Sequence, residues 1–315
     1  MAHNSLVRLR TGVEISQLGL GTATLGGLYK SMSEDECTAT VEEALNQGIT
    51  YIDTAPHYGK GTSERRLGRI LKGKTGFHLS TKIGRLLVPS TTDIDEYFLD
   101  ADNTVERFFD YSAKAVEKSI KDSLEKLQMD SVDFVFIHDP DDQIYIEQGI
   151  KEAFPALEKM RNQGLIKGIG VGMNQNAAPT RFINETDIDM VLIAGRQSLL
   201  DQSASVDLLP TALKRGVDII AAGVFNSGIL ANPVKGATYD YGPASDELIA
   251  RAQHIRNVLD EHGVSITAAA MQFPLRHPAV KAVIVGCRSA QEVRNNCAAF
   301  DAPIAEEVWK DLDLL

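Results

Sequence analysis

Four side chains that can hold or move protons stand at or just after the ends of short apolar runs. Asp53 ends YID, Lys82 ends LSTK and His138 ends FVFIH. Tyr58 follows Asp53 by five residues. A carboxylate, a phenol, an ammonium and an imidazole can together perform general acid–base chemistry without a metal ion. We therefore predict a proton-transfer site made of these four residues, and we expect no metal site.

Each of the four residues has a distinct expected role. A free tyrosine has a pKa of about 10, and an ammonium about 4 Å away favours the phenolate by up to roughly three pKa units. We expect Lys82 to lower the pKa of Tyr58, and Asp53 to pair with Lys82. His138 is expected to donate a hydrogen bond to a carbonyl oxygen. Taken singly, Asp53 and His138 are typical of turns and Lys82 of a surface, so the prediction rests on their joint placement.

The elements that must position these residues alternate along the chain. After a predicted hairpin over residues 1–16, with its turn at Thr11 and Gly12, apolar runs are each followed by helical sequence. Continuously apolar runs are typical of strands buried on both faces, and alternation of this kind predicts a parallel sheet. The predicted strands are 17–22, 49–54, 77–82, 132–138, 166–172, 189–194, 217–223 and 280–286.

A chain of 315 residues suits either two modest domains or one large barrel. No linker or change in composition divides it, so we predict an α/β fold, a (β/α)8 TIM barrel with an N-terminal β-hairpin, as one domain over 1–315. Ser33 with Glu36 predicts a helix start. The predicted helices are 33–47, 63–71, 112–127, 150–163, 179–183, 205–215, stretches within 244–275, and 290–300.

Two long connections are expected to shape the pocket. Residues 85–111 interrupt the alternation after the third predicted strand, and loops of that length are either functional or mobile. Barrel enzymes build their sites from the loops that follow the strands. The segment is therefore a candidate substrate cover, with a packed surface excursion as the equal alternative. Residues 232–243 form the second connection.

The composition restricts the partners and the compartment. The net charge is −11, with no basic run, which argues against nucleic acid and an anionic membrane surface. The three cysteines, Cys37, Cys287 and Cys297, form no C-x-x-C pair, and the first residues lack a signal-peptide pattern. We expect a cytoplasmic protein with a small-molecule partner; the sequence leaves its oligomeric state open.

The sequence resembles the aldo-keto reductases over nearly its full length. The stretch GITYIDTAPHYG at 48–59, followed by Glu64, is similar to that family's signature, and Lys82 in STK and His138 in FIHDP match its other catalytic positions. The resemblance implies a barrel, a nicotinamide cofactor bound without a Rossmann domain, and Tyr58 as proton donor or acceptor. It also implies that four further residues hold the nicotinamide end: Gly21 and Thr22 at the ribose, and Asn174 and Gln197 at the carboxamide.

Within the family, several segments are similar to one subgroup. These are FDYS at 109–112, HDPD at 138–141, GVGMNQ at 170–175, which contains Asn174, and AGVFNSGIL at 222–230. The subgroup comprises L-fucose, D-threo-aldose and galactose-type aldose dehydrogenases and pyridoxal 4-dehydrogenases. The resemblance implies oxidation of a cyclic hemiacetal, or of an aldehyde that forms one, to a lactone by an NAD(P)-dependent oxidoreductase.

The resemblance also bears on the cofactor. Where many members have Lys and Arg to bind the 2′-phosphate of NADP, this chain has Gly286 and Glu292, which favours NAD. Arg288 and Arg294 keep NADP as the alternative, since either could bind a phosphate. Asn296 belongs to the same cofactor-binding set. Where many members stack an aromatic ring on the nicotinamide, this chain has Ala222. Three residues of the following loop are expected to contact the cofactor: Phe225, Ser227 and Gly228.

Three rival functions fit parts of the pattern. The first is an NADPH-dependent aldehyde or ketone reductase on the same scaffold. The second is a regulatory subunit that binds a dinucleotide with negligible turnover. The third is a Schiff-base lyase that uses Lys82 or Lys167, which nothing else in the sequence favours.

Overall fold

The structure is a computed structural model that describes residues 1–91, 94–240 and 242–312. The strands, in chain order, are β1 (Leu6–Arg8), β2 (Glu14–Ser16), β3 (Leu18–Gly21), β4 (Tyr51–Asp53), β5 (His78–Ile83), β6 (Arg85–Pro89), β7 (Val105–Phe109), β8 (Phe134–His138), β9 (Gly168–Met173), β10 (Met190–Ala194), β11 (Asp218–Ala222), β12 (Thr238–Tyr239), β13 (Gly242–Pro243) and β14 (Val280–Gly286). The helices are α1 (Glu34–Asn46), α2 (Thr62–Leu71), α3 (Ala113–Leu127), α4 (Gln143–Gln148), α5 (Phe154–Asn162), α6 (Ala177–Glu185), α7 (Leu208–Arg215), α8 (Asp246–Glu261), α9 (Ile266–Gln272), α10 (Ala290–Asp301) and α11 (Glu306–Leu312).

Eight parallel strands close into a barrel, which confirms the predicted fold class. Their order around the barrel is β3, β4, β5, β8, β9, β10, β11 and β14, and β14 pairs back onto β3. The carboxyl ends of parallel strands all meet at one rim, and that rim is where barrel enzymes place their sites. Helices of the described chain are too short or too polar to cross a membrane. That residues 1–315 form one domain stays a prediction.

The helices begin where local side-chain chemistry favours a start. Ser33 caps α1, accepting a hydrogen bond from Glu36 N at 3.2 Å, and Glu36 Oε2 accepts one from Ser33 N at 2.7 Å. The predicted capping box is therefore present. Gly48, just past the helix, has φ +82°, a left-handed value that suits glycine. Such caps fix each helix relative to the strand that follows it.

The predicted N-terminal hairpin, β1 paired antiparallel with β2, is present and closes the barrel end opposite the strand C-termini. Leu9 and Ile15 are buried with interior barrel residues such as Phe134 and Phe136. Arg10 N donates to the carboxylate of Asp218, the first residue of β11. With this end filled, the space that remains for a ligand lies at the other rim.

Two segments differ from the predictions. Residues 85–111, expected as an irregular connection, contain the antiparallel hairpin of β6 and β7, in which Arg85 pairs with Phe109 and Pro89 with Val105. Thr92 and Asp93, between these strands, lie outside the described residues. The helix expected at 150–163 begins earlier, because α4 runs through a π-helical turn at 149–153 into α5. Pro155 lacks an N–H, and such a turn accommodates the missing hydrogen bond.

Candidate active site

The structure brings the four predicted acid–base residues together at the strand C-termini. Asp53 is the last residue of β4, Lys82 is the fifth of six residues in β5, and His138 is the last residue of β8. Tyr58 reaches the same place from the loop after β4, and its ring centroid lies 6.2 Å from that of His138. All four line one cavity. Their catalytic roles remain a prediction.

Lys82 uses all three of its N–H donors. Its Nζ lies 2.5 Å from Asp53 Oδ2, 2.8 Å from the Thr54 carbonyl oxygen and 3.0 Å from Tyr58 Oη. Both charged side chains of the pair are 1% exposed. An ammonium can only donate, so the Tyr58 oxygen is the acceptor in their bond. The phenolic proton is therefore left to point elsewhere, toward a group in the cavity.

The expected lowering of the Tyr58 pKa is wrong for the chain alone. Burial raises the pKa of Tyr58 well above its ordinary value, and the carboxylates of Asp53 and then Asp139 raise it further, against a lowering by Arg85. Burial is the first cause, and the Asp53 carboxylate, at hydrogen-bond distance from Lys82, offsets most of what the ammonium contributes. Tyr58 is thus a protonated acid at neutral pH.

His138 is a neutral imidazole in this site. Burial is the main cause that holds its pKa well below the usual value, followed by the cations of Arg85 and Lys82. Its Nδ1 is buried and finds no hydrogen-bond partner in the described part of the chain, and its Nε2 lies 3.4 Å from Asp139 Oδ2. A neutral imidazole keeps one N–H donor. That donor can orient a substrate oxygen beside Tyr58.

The 85–111 segment supplies one side of the cavity, which has a volume of about 520 Å³. Phe98 stacks on Tyr58, with ring centroids 6.2 Å apart and planes inclined by 25°. The Phe98 backbone also forms an antiparallel β-bridge with Leu28, which lines the same cavity. Further lining residues from this segment are Arg85, Asp95, Tyr97 and Arg107, and His57 lies beside them. The segment therefore covers the site, in line with the first of the two interpretations given above, a substrate cover.

A groove leads away from the four acid–base residues over the rim. The main cavity shares lining residues with a second cavity of about 170 Å³. The cavities share Leu28, Asn174, Ala194 and Gly223. Among the predicted cofactor contacts, Gly21, Thr22, Asn174 and Gly286 line the main cavity and Ser227 lines the second one. The groove is thus elongated, as an extended dinucleotide requires.

Other predicted cofactor residues lie near the groove without lining it. Gln197 is buried, and its amide oxygen accepts a hydrogen bond from Ser205 Oγ at 2.9 Å. Phe225 packs partly buried against the hydrophobic core, whereas Ala222 lines the main cavity. Gly228 has φ +100°, in the turn that contains Ser227. Their contacts to a cofactor stay a prediction.

One orphaned polar atom on the groove wall fits a polar ligand, and a second lies near Leu28, which also lines the groove. Asn226 is 2% exposed and its Nδ2 donates to the Gly195 carbonyl oxygen at 3.1 Å. Its Oδ1 is buried and meets no partner within residues 1–91, 94–240 and 242–312, and the same is true of Arg288 Nε. Buried polar atoms are normally satisfied, so a bound group is expected there. The sequence analysis did not predict Asn226 as a site residue, although it lies inside the AGVFNSGIL segment named there.

The start of α10 carries the residues expected to choose between NAD and NADP. Glu292 is exposed, and its Oε2 accepts a hydrogen bond from Arg288 N at 2.8 Å. The Arg288 guanidinium donates to the Leu28 carbonyl oxygen at 2.7 Å. Arg294 lies 3.2 Å from a Glu43 carboxylate oxygen, toward α1. Asn296 Nδ2 contacts Cys287 Sγ at 3.3 Å.

Comparisons with known proteins agree with this site. The model of the aldo/keto reductase family matches residues 17–315. A D-threo-aldose 1-dehydrogenase of a Pseudomonas species is 41% identical over 96% of this chain and 94% of its own. A pyridoxal 4-dehydrogenase of Microbacterium luteolum is 39% identical, again over 96% of this chain and 94% of its own.

A solved structure supports the fold. The holo form of an aldo-keto reductase from Bacillus halodurans superimposes with a TM-score of 0.80 at 24% identity, covering 99% of this chain and 96% of that one. Members of the matched family use NAD(P)(H) as their cofactor. Since the family model spans the barrel and the acid–base residues alike, the chain belongs to the aldo/keto reductase family and is an oxidoreductase of that family.

Proposed function

We propose that the protein oxidises the cyclic hemiacetal of an aldose, or of an aldehyde such as pyridoxal, to a lactone, with Tyr58 as the general acid–base. One observation carries the proposal. The Tyr58 oxygen accepts a hydrogen bond from the Lys82 ammonium, so the phenolic proton is directed toward the cavity. The neutral His138 lies beside Tyr58 there. The two relatives described above supply the substrate class.

The chain's own residues would handle the substrate oxygen and its proton. His138 and Tyr58 hold the anomeric hydroxyl between them, and ionised Tyr58 removes its proton as the C1–H bond breaks. Lys82 stabilises the phenolate through its 3.0 Å contact, and Asp53 holds Lys82 in place. A nicotinamide cofactor held along the groove would supply the hydride acceptor. Phe98 and the rest of the cover exclude water from this step.

The substrate panel is the test of the proposed reaction. We expect NADH absorbance to rise when the protein is mixed with NAD and L-fucose, L-galactose, D-arabinose or pyridoxal. Turnover only with NADPH and aldehydes would favour the reductase alternative. Binding of dinucleotide without turnover of any of these compounds would favour the regulatory-subunit alternative.

The rate of oxidation should depend on pH because Tyr58 must first lose its proton. A phenol whose pKa is raised stays protonated at neutral pH, and below that pKa its ionised fraction grows about tenfold per pH unit. We expect kcat/KM for oxidation to rise by roughly that factor per unit between about pH 7 and pH 9. Asp139, whose pKa burial raises to about 6, is mostly ionised before this window begins.

The reverse reaction is the internal control for this pH dependence. Reduction of the lactone by NADH uses the protonated phenol, so its rate should not rise with pH over the same interval. Circular dichroism across the interval checks that the fold is unchanged. An oxidation rate that is flat with pH would show that Tyr58 is not the group that gains the proton.

We further propose NAD as the preferred cofactor and the cytoplasm as the compartment. The acidic Glu292 at the start of α10 would repel a 2′-phosphate, and Arg294 is directed toward Glu43 instead. The three cysteines are free, as in a reducing compartment. Turnover with both dinucleotides at equal concentration tests the cofactor.

Changing the charge at this point should shift the cofactor preference. Glu292→Lys replaces the repelling carboxylate with an ammonium, so we expect the ratio of kcat/KM for NADP to that for NAD to rise about tenfold. Glu307→Lys, an exposed change of equal charge at the start of α11, is the matched control and should leave the ratio unchanged. An equal shift in both variants would assign the effect to net charge instead.

A further inference from the structure

We propose that Arg85 and Asp139 form a hydroxyl-recognition pair that selects a substrate with vicinal hydroxyl groups over an aromatic aldehyde. The inference deepens the proposed function, on which it rests, because it chooses between the two substrate classes that the relatives suggest. Neither residue belongs to the four acid–base residues, and both line the same cavity.

The pair stands next to the reacting atoms. Arg85 Nη2 lies 2.7 Å from Asp139 Oδ2, and the same carboxylate oxygen is 3.4 Å from His138 Nε2. Arg85 Nη1 lies 3.3 Å from both ring nitrogens of His57. A substrate held by His138 at its anomeric oxygen therefore brings its neighbouring ring atoms to Arg85 and Asp139.

The surrounding backbone holds the pair in one arrangement. Gly84, just before Arg85, has φ +105°, and a Cβ there would come 2.1 Å from Tyr111 Cε1. Tyr111 Oη in turn lies 2.6 and 2.8 Å from the carbonyl oxygens of His138 and Asp139, which share its one proton. Asp139 has φ +42°, in the left-handed region that few residues other than glycine, asparagine and aspartate adopt.

The guanidinium and the carboxylate keep hydrogen-bonding capacity for a ligand. Arginine has five N–H donors, and Arg85 Nε has no partner in the portion of the chain that the structure describes. A carboxylate offers about four lone-pair sites to donors. Vicinal hydroxyls each donate and accept, so a donor fork beside an acceptor matches them in a bidentate manner.

A second pair of the same kind lies on the cavity wall. Arg107 Nη2 is 2.5 Å from Asp95 Oδ2, and both residues line the cavity. Arg107 Nε is also buried with no partner among the described residues. Two arginine–aspartate pairs therefore line a cavity of about 520 Å³, so the substrate would meet many polar groups. Aromatic Phe98 and Tyr97 could contact either substrate class, so they do not discriminate.

Pyridoxal keeps one ring hydroxyl and a ring nitrogen in its cyclic hemiacetal but has no vicinal pair of hydroxyls, so it would replace fewer of the hydrogen bonds that water makes to these groups. Leaving buried polar groups unpaired weakens binding of a ligand, and sites built to bind hydroxyls reject ligands that lack them. We therefore expect the wild-type protein to have the higher kcat/KM with D-arabinose than with pyridoxal.

The test compares the two substrates in three variants. Arg85→Met removes the donor fork, and we expect the ratio of kcat/KM for D-arabinose to that for pyridoxal to fall at least tenfold, mainly through KM. Arg85→Lys keeps the charge without the fork, and we expect a smaller fall of the same sign. Arg65→Met removes an exposed arginine paired with Asp102, outside the cavity, and should leave the ratio unchanged. Thermal unfolding checks that each variant is folded.

Binding of an unreactive polyol separates this inference from the proposed function. 1,5-Anhydro-L-fucitol has vicinal hydroxyls but no anomeric hydroxyl, and calorimetry should show its Kd rising about tenfold in Arg85→Met. If no substrate is turned over, the proposed reaction fails, and Arg85-dependent binding of this polyol still supports the pair. Equal losses for D-arabinose and pyridoxal, a wild-type preference for pyridoxal, or polyol binding that ignores Arg85 would each overturn it.

Discussion

Tyr58→Phe is expected to lower kcat for oxidation by roughly 10²- to 10⁴-fold, the range that a positioned general acid–base contributes. The ring stays and only the oxygen is lost. Lys82 keeps two of its three acceptors, Asp53 and the Thr54 carbonyl, so the site should remain assembled. Single-turnover formation of NADH at saturating substrate measures the chemical step directly.

Two controls separate a chemical effect from a structural one. Titration of cofactor fluorescence should give nearly the same Kd in Tyr58→Phe as in the wild-type protein. Tyr145→Phe removes a phenol from a ring that stacks on Phe109, away from Lys82, and should keep its activity within a factor of about two. Substantial oxidation by Tyr58→Phe would show that another group accepts the proton.

Lys82→Met is the second change with a large expected effect, this time on stability as well as activity. It leaves the Asp53 carboxylate buried with Ser80 Oγ at 2.7 Å but without its cation. Removing one partner of a buried ion pair costs about 3–5 kcal/mol. We expect the free energy of unfolding in urea to fall by that amount, and oxidation to be lost.

A double variant shows whether the loss comes from the uncompensated charge. Asp53→Asn combined with Lys82→Met replaces the pair by neutral groups of similar volume, and we expect it to recover most of the lost stability. It should still be inactive, because Tyr58 has no cation to stabilise its phenolate. If the urea midpoint of unfolding of Lys82→Met equals that of the wild-type protein, Asp53 and Lys82 do not form a charged buried pair.

Much of this architecture could be predicted because its signals are local. Ser33 and Glu36 are three residues apart, and they form the predicted capping box. Asp53, Lys82 and His138 each sit at or near the end of an apolar run, and parallel strands must bring such ends to one rim. The barrel topology therefore converts three separate sequence positions into one site.

The site features that the sequence did not predict depend on contacts between residues far apart in the chain. Arg85 pairs with Phe109 in the cover hairpin and with Asp139 after β8, and neither spacing is periodic in the sequence. The raised pKa of Tyr58 follows from burial and from the carboxylates of Asp53 and Asp139 close to it, and the spacing of these residues in the sequence does not reveal either cause. The orphaned oxygen of Asn226 likewise exists only once the chain is folded.

The way in which Lys82 is bonded also argues against its use as the lysine of a Schiff-base lyase. To attack a carbonyl carbon, an amine needs a free electron pair and room to form a new covalent bond. The nitrogen of Lys82 has none to offer, because a carboxylate, a backbone oxygen and a phenol surround all of its protons. Forming an imine at Lys82 would first require breaking these three hydrogen bonds. The lysine is therefore held as a cation in this barrel and is not available as a nucleophile.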